Sequence, residues 1–123
     1  MTPAAAAIAA RAAASKTDQP TIVLEVGELL GITDAFVITS GRNTRQVKAI
    51  ADEVRLKVRE SGHPTPPRSE GREDSSWLLL DYGDFVVHIF STEGREHYAL
   101  ERLWADAERV DWDGPAVRES VGV

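Results

Sequence analysis

The segment Trp77–Phe90, WLLLDYGDFVVHIF, decides how this chain folds. Apolar side chains fill it, interrupted only by Asp81, Tyr82, Gly83, Asp84 and His88. Tyr82-Gly83 reads as a two-residue turn between two antiparallel strands. That register sets Asp81 against Asp84, Leu80 against Phe85, Leu79 against Val86, Leu78 against Val87 and Trp77 against His88. Side chains alternate between the faces of a sheet, so one face carries Leu78, Leu80, Phe85, Val87 and Ile89 without a polar side-chain atom. This is the expected core face, and each such side chain contributes roughly 1.5–3 kcal/mol when fully buried. The opposite face mixes Trp77, Leu79, Asp81, Asp84, Val86, His88 and Phe90. Unpaired carboxylates are costly to bury, so its turn end is expected to be wet. Aromatic anchors rimmed by charge have the composition of a protein–protein hot spot.

Upstream, TIVLEV (Thr21–Val26) and AFVITS (Ala35–Ser40) read as strands, joined by a turn through GELLGITD. The period then changes. Val47, Ile50, Ala51, Val54 and Val58 form one helical stripe, with Asn43 and Gln46 at capping-box spacing and Gly62 placed to end the helix. Six basic residues between Arg42 and Arg59 fall mainly off that stripe and read as a solvated face. Ser61–Ser76 carries three prolines and no periodicity, as a mobile loop or a short edge strand would. A last helix is expected from about Glu93 to Val110, with Leu100, Leu103, Trp104 and Ala107 on its buried stripe.

At the N-terminus, Thr2 is the expected cap and Pro3 the first helical residue of an Ala-rich helix, short and loosely packed or frayed. It has no basic region ahead of its apolar run, and Arg11 interrupts that run, so a cleaved secretory peptide is not expected. The predicted organisation is a helix and linker over 1–20, a domain over 21–112, and a disordered tail over 113–123. The order α-β-β-α-loop-β-β-α implies a mixed sheet with packed helices, of α/β or α+β class.

The 123 residues carry a formal net charge of −6 and no cysteine, which removes disulfides, thiolate metal sites and a Cys nucleophile. From Glu70 onward, thirteen acidic residues face five arginines. That balance disfavours an RNA-binding module working through the basic helix, since nucleic-acid affinity comes mostly from neutralising phosphates. It favours a basic partner. A reducing, cytoplasmic location fits this composition, and no run of apolar residues is long enough to span a membrane.

Assembled chemistry is absent from the pattern. Asp81 and Asp84 lie three apart across a turn, unlike the same-face pair of a two-metal site. His88 has no second histidine at ligand spacing, and His63 stands alone in its loop. ITSGRNT (Ile38–Thr44) is a strand–Gly–helix junction, but it lacks both the G-x-G-x-x-G and the Gly-Lys-Ser/Thr patterns. Ser40 sits in no nucleophile elbow. No catalytic residue, metal or cofactor is expected.

DAFVITSGRNTRQVKAIADEV, the Glu70-Gly71 pair, WLLLDYGDFVVHIF and REHYALERLW (Arg95–Trp104) together resemble the bacterial ribosomal silencing factor, or Iojap-like, family across Asp34 to Trp104. The resemblance implies a fold similar to nucleotidyltransferases without their chemistry. Gly41 is followed by Arg42, and the next acids, Asp52 and Glu53, are adjacent on a helix rather than spaced on a strand. It further implies a translation repressor that binds large-subunit ribosomal protein fourteen, blocks joining of the small subunit when nutrients are scarce, and forms homodimers. The partner contacts expected on this basis are Trp77, Asp81, Tyr82, His88, Phe90, Arg95, Tyr98 and Glu101. Leu100, Leu103 and Trp104 are expected to seat the last helix. The alternative is a nucleotidyltransferase-like enzyme or nucleotide binder using the Gly41 turn.

Overall fold

Two parallel strands, β2 (Ala35–Gly41) and β5 (Phe85–Ser91), form the centre of a six-stranded mixed sheet in the computed structural model, which describes residues 2–72, 74 and 76–113. The remaining strands are β1 (Ile22–Glu25), β3 (Arg68–Glu70), β4 (Trp77–Asp81) and β6 (Glu108–Val110). They pair antiparallel in the order β3-β4-β5-β2-β1-β6. Helices α1 (Ala4–Ala14) and α3 (Thr44–Glu60) pack on one face. The short helices α2 (Gly27–Leu30), α4 (Thr92–Tyr98) and α5 (Leu100–Leu103) complete the chain. The mixed-sheet class expected from the element order is the one observed.

On the helical face, Leu78, Leu80, Phe85, Val87 and Ile89 join the α3 stripe of Val47, Ile50, Ala51, Val54 and Val58 in one buried cluster. Asn43 caps α3 by accepting from the Gln46 backbone N–H at 2.9 Å. The Gln46 side chain closes the cap one residue further out, accepting from the Arg42 N–H at 2.7 Å. Gly41 is favoured by close packing: a Cβ there would lie 3.0 Å from the Val47 backbone nitrogen and 3.1 Å from its Cγ2.

Three expectations change. First, α1 is not frayed. Ala6, Ala9, Ala10 and Ala13 recur on one stripe, are fully buried, and belong to the same cluster as α3. Methyl side chains let the two helix backbones approach closely. Pro3, with ψ 144°, is the N-cap in place of Thr2.

Second, the hairpin register is shifted by two residues. Trp77 pairs with Phe90, Leu79 with His88 and Asp81 with Val86. The turn is Gly83-Asp84, closed by Tyr82 N–H donating to Phe85 O at 3.0 Å, with Gly83 at φ 90°. Asp81 Oδ1 accepts from the Gly83 N–H at 2.8 Å, an Asx turn that favours this register over a Tyr82-Gly83 turn. A slip of two preserves strand parity, so the faces stand as expected.

Third, the last helix breaks. Ala99 adopts φ 48°, ψ 44°, the left-handed region that ends a helix. Beyond it, Leu100 is buried and Trp104 is half-buried, but Leu103 is 74% exposed, not core. Residues Glu108–Val110 form a strand on β1 instead of continuing the helix. The Pro-rich loop carries the edge strand β3, one of the two forms expected of it. The tail expected to be disordered lies outside the described residues after Asp113.

Candidate docking face

The second face of the sheet is lined by Leu24, Val26, Phe36, Ile38, Val86, Phe90 and Leu100, with Trp77, Leu79 and Trp104 at its margin. Its aromatic rings form a continuous chain. Tyr98 meets Trp77 with ring centroids 4.6 Å apart, and Trp77 meets Phe90 at 5.0 Å and His88 at 5.7 Å. Phe36 stands edge-on to His88 at 4.6 Å and to Trp104 at 5.6 Å. Period-2 alternation put Trp77, His88 and Phe90 here, while α4 brings Tyr98 across the top. Helix α4 approaches because Gly94 lets it: a Cβ there would meet Ser76 O at 2.3 Å. Its start is capped by Ser91 Oγ, which accepts from Gly94 N–H at 2.9 Å.

An open cavity of about 410 Å³ sits on this face, lined by Glu70, Gly71, Ser76, Trp77, Leu79 and Tyr98. Tyr98 is 43% exposed and Trp77 is half-buried. The arrangement offers two aromatic walls, an aliphatic floor and a carboxylate rim.

His88 lies beneath this surface, 4% exposed. Its Nδ1 accepts from Trp77 Nε1–H at 3.1 Å, which assigns the ring proton to Nε2. Burial lowers the His88 pKa from 6.5 to about 4, opposed only partly by the negative charge of Asp81. The imidazole is therefore neutral near pH 7 and able to hold the indole. Its Nε2 finds no hydrogen-bond partner among the described residues.

The eight expected contact residues fall into distinct places. Trp77 and Tyr98 line the open cavity. Asp81 stands at the turn end, bonded to Gly83 N–H and 3.4 Å from Arg68 Nη2. His88 and Phe90 are buried supports for Trp77. Arg95 and Glu101 face each other, with Nε to Oε1 at 2.9 Å and Nη2 to Oε2 at 3.4 Å. Arg95 Nη1 also donates to Ser40 Oγ at 3.1 Å and to Pro20 O. This latch ties α4, α5 and β2 together, and it leaves the Arg95 side chain only 12% exposed. Tyr82 is on the opposite, helical face, 5% exposed and stacked on Phe85 at 4.8 Å. Its even position sets it with Leu78 and Leu80, so parity alone could have removed it from the site. The same parity pointed to Leu79, and the Glu70-Gly71 pair also proves to line the cavity.

A larger crevice of about 640 Å³ opens at the carboxyl ends of β2 and β5, lined by Gln19, Ser40, Thr92, Arg95, Glu96, Ala99, Glu101 and Arg102. Open α/β sheets bind nucleotides at this topological position. Here Arg95 is already neutralised by Glu101, and Glu96 adds a second carboxylate to the lining. No cluster of three or more His, Asp or Glu able to hold a metal ion occurs among the described residues. No helix among them is long and apolar enough to cross a membrane.

Comparison with known proteins gives a consistent result. Residues 1–121 match the family described as "Ribosomal silencing factor during starvation", RsfS. The chain is 37% identical over 107 residues to the ribosomal silencing factor RsfS of Halalkalibacterium halodurans, covering 87% of this chain and 91% of that protein. It is 37% identical over 106 residues to the protein of the same name in Bacillus subtilis, covering 86% and 89%. Among solved structures, a Chromobacterium violaceum protein superposes with a TM-score of 0.75 at 33% identity, covering 82% of this chain and 83% of that one.

Proposed function

The chain belongs to the ribosomal silencing factor family, and from that premise we propose that it represses translation by docking, without catalysis, on the large ribosomal subunit. The contact is ribosomal protein fourteen at the subunit-joining face, and the effect is steric exclusion of the small subunit when nutrients are scarce. The observation that carries this reading is the open aromatic cavity walled by Trp77 and Tyr98. A rigid aromatic pair held from below is the usual composition of an interface anchor. The net charge of −6 complements a basic ribosomal protein and is repelled by surrounding RNA, which guides the protein to its site. An interface of about 1,200–2,000 Å² in total suffices for specific binding. The protein acts in the compartment that holds its ribosomes, the cytoplasm, and homodimerisation is part of the same proposal.

Each expected contact takes a role set by its position. Trp77 and Tyr98 enter the partner and Asp81 faces its basic groups. His88 and Phe90 act through Trp77, and Arg95 and Glu101 act by holding Tyr98 in place. Tyr82, on the far side of the sheet, is outside the contact.

Co-sedimentation with purified large subunits, followed by addition of small subunits, tests the proposal. Saturating protein is expected to leave the subunits apart; free joining would overturn the reading. Trp77→Ala is expected to weaken subunit binding by about 30-fold, the loss of one aromatic hot spot, while unfolding stays cooperative. A nucleotide-binding reading draws on the crevice beside Gly41, but the packing of Gly41 against α3 already accounts for that glycine.

A further inference from the structure

On the helical side of the sheet, away from the docking face, the proline loop folds back against the last turns of α3. Between them lies a cavity of about 410 Å³ lined by Arg55, Val58, Arg59, His63, Pro64, Thr65, Pro66, Pro67 and Tyr82. Its volume falls within the range of small-molecule sites. The lining combines flat, rigid surfaces with cations. Tyr82 provides a ring clamped between Phe85, stacked at 4.8 Å, and His63, edge-on at 5.3 Å. His63 is itself fixed, with Nε2 3.0 Å from Asp84 Oδ1 and Nδ1 3.0 Å from Thr65 O. The prolines therefore stand on an anchored loop.

The polar groups of the cavity are unevenly satisfied. Arg55 donates to Ser69 Oγ at 3.0 Å and lies 3.6 Å from Asp52 Oδ1. Arg59 is exposed and forms no ion pair or side-chain hydrogen bond among the described residues. Tyr82 Oη is buried with no partner among them either. Burial pushes the Tyr82 pKa up to about 12 against the opposing charge of Arg55, so the hydroxyl remains a donor. Buried donors without acceptors are uncommon in folded proteins. In a chain of net charge −6, this cavity is lined by two arginines and by Tyr82, whose hydroxyl is buried and unpartnered among the described residues.

We propose that this cavity binds a small organic anion: a carboxylate or phosphate monoester head held by Arg59 and Arg55 and accepting from the Tyr82 hydroxyl, with a flat apolar body against the Tyr82 ring and the prolines. Arginine suits either head group, since its planar fork matches both geometrically. The site is independent of the docking face and does not rest on the silencing role.

Titrating isotope-labelled protein with phenylacetate and with phenyl phosphate, followed by NMR, tests the inference, with benzyl alcohol as the neutral control. Saturable shifts are expected at the end of α3, in the 63–67 loop and at Tyr82, and the tighter of the two acids identifies the head group. Arg59→Glu, an exposed change compatible with folding, is expected to weaken binding by about tenfold or more. Tyr82→Phe keeps the stacked ring and is expected to weaken it several-fold. Trp77→Ala should leave it unchanged. The site is overturned if neither acid saturates at millimolar concentration, if benzyl alcohol binds equally well, or if Arg59→Glu has no effect. Shifts confined to Trp77 and Tyr98 would overturn it too. Unchanged affinity in Tyr82→Phe would overturn the part assigned to the hydroxyl.

Discussion

The two faces of one sheet are both apolar, yet they are finished differently. On one, α1 and α3 bury Leu78, Leu80, Phe85, Val87 and Ile89 completely or nearly so. On the other, short helices cover only part of an aromatic surface and leave Trp77 and Tyr98 at its open edge. The first face is closed by small and branched side chains that interdigitate. The second ends in rings packed edge-on and tilted around a neutral histidine. Stability belongs mainly to the first face, and the recognition we propose belongs to the second, where Trp77 and Tyr98 keep accessible area to bury against a partner.

The strongest way to break this contrast is at Phe85. Phe85→Ala is expected to cost about 3–5 kcal/mol in denaturant unfolding, whereas Trp77→Ala should cost far less and act on subunit binding. Comparable losses of stability would erase the distinction between the faces.

His88 sharpens it through pH. Its folded pKa lies below the unfolded value, so the unfolded chain takes up a proton first as pH falls. The associated stability is fully present above pH 6.5 and is lost as pH falls towards 4. The loss across that window is about 3 kcal/mol by linkage. His88→Leu should lack this component, and parallel pH profiles for the two proteins would refute it.

On the helical face, Ala9→Leu is expected to cost about 1–3 kcal/mol by forcing α1 away from α3. A neutral outcome in thermal unfolding would return α1 to the margin of the domain. The smallest effect is at Ala99, where Ala99→Gly relieves the left-handed backbone and is expected to stabilise by about 0.5–1 kcal/mol. Destabilisation there would mean that the break is held by the Ala99 side chain and not by the Arg95–Glu101 latch.

Much of the candidate site was legible in WLLLDYGDFVVHIF, since alternation alone assigned Trp77, Leu79, His88 and Phe90 to one face. The support roles were not legible. Residues expected to touch a partner proved to touch each other: Trp77 Nε1 bonds His88 Nδ1, and Arg95 bonds Glu101. A motif marks residues that belong together without saying whether they face inward or outward. Leu103 shows the converse error: the apolar stripe was carried past the break at Ala99, and in the short helix α5 that follows Leu103 is exposed.

By itself, the sequence determined the faces, the α3 stripe with its Asn43 cap, and the mixed-sheet class. These follow from local periodicity and from short-range hydrogen bonds that need no distant partner. Tertiary structure decided the two-residue register of the hairpin, the burial of α1, the break at Ala99 and the pairing of β6 with β1. Each depends on groups far apart in the chain, such as Ser40 with Arg95 or Val23 with Val110, or on a turn geometry that two neighbouring registers both allow.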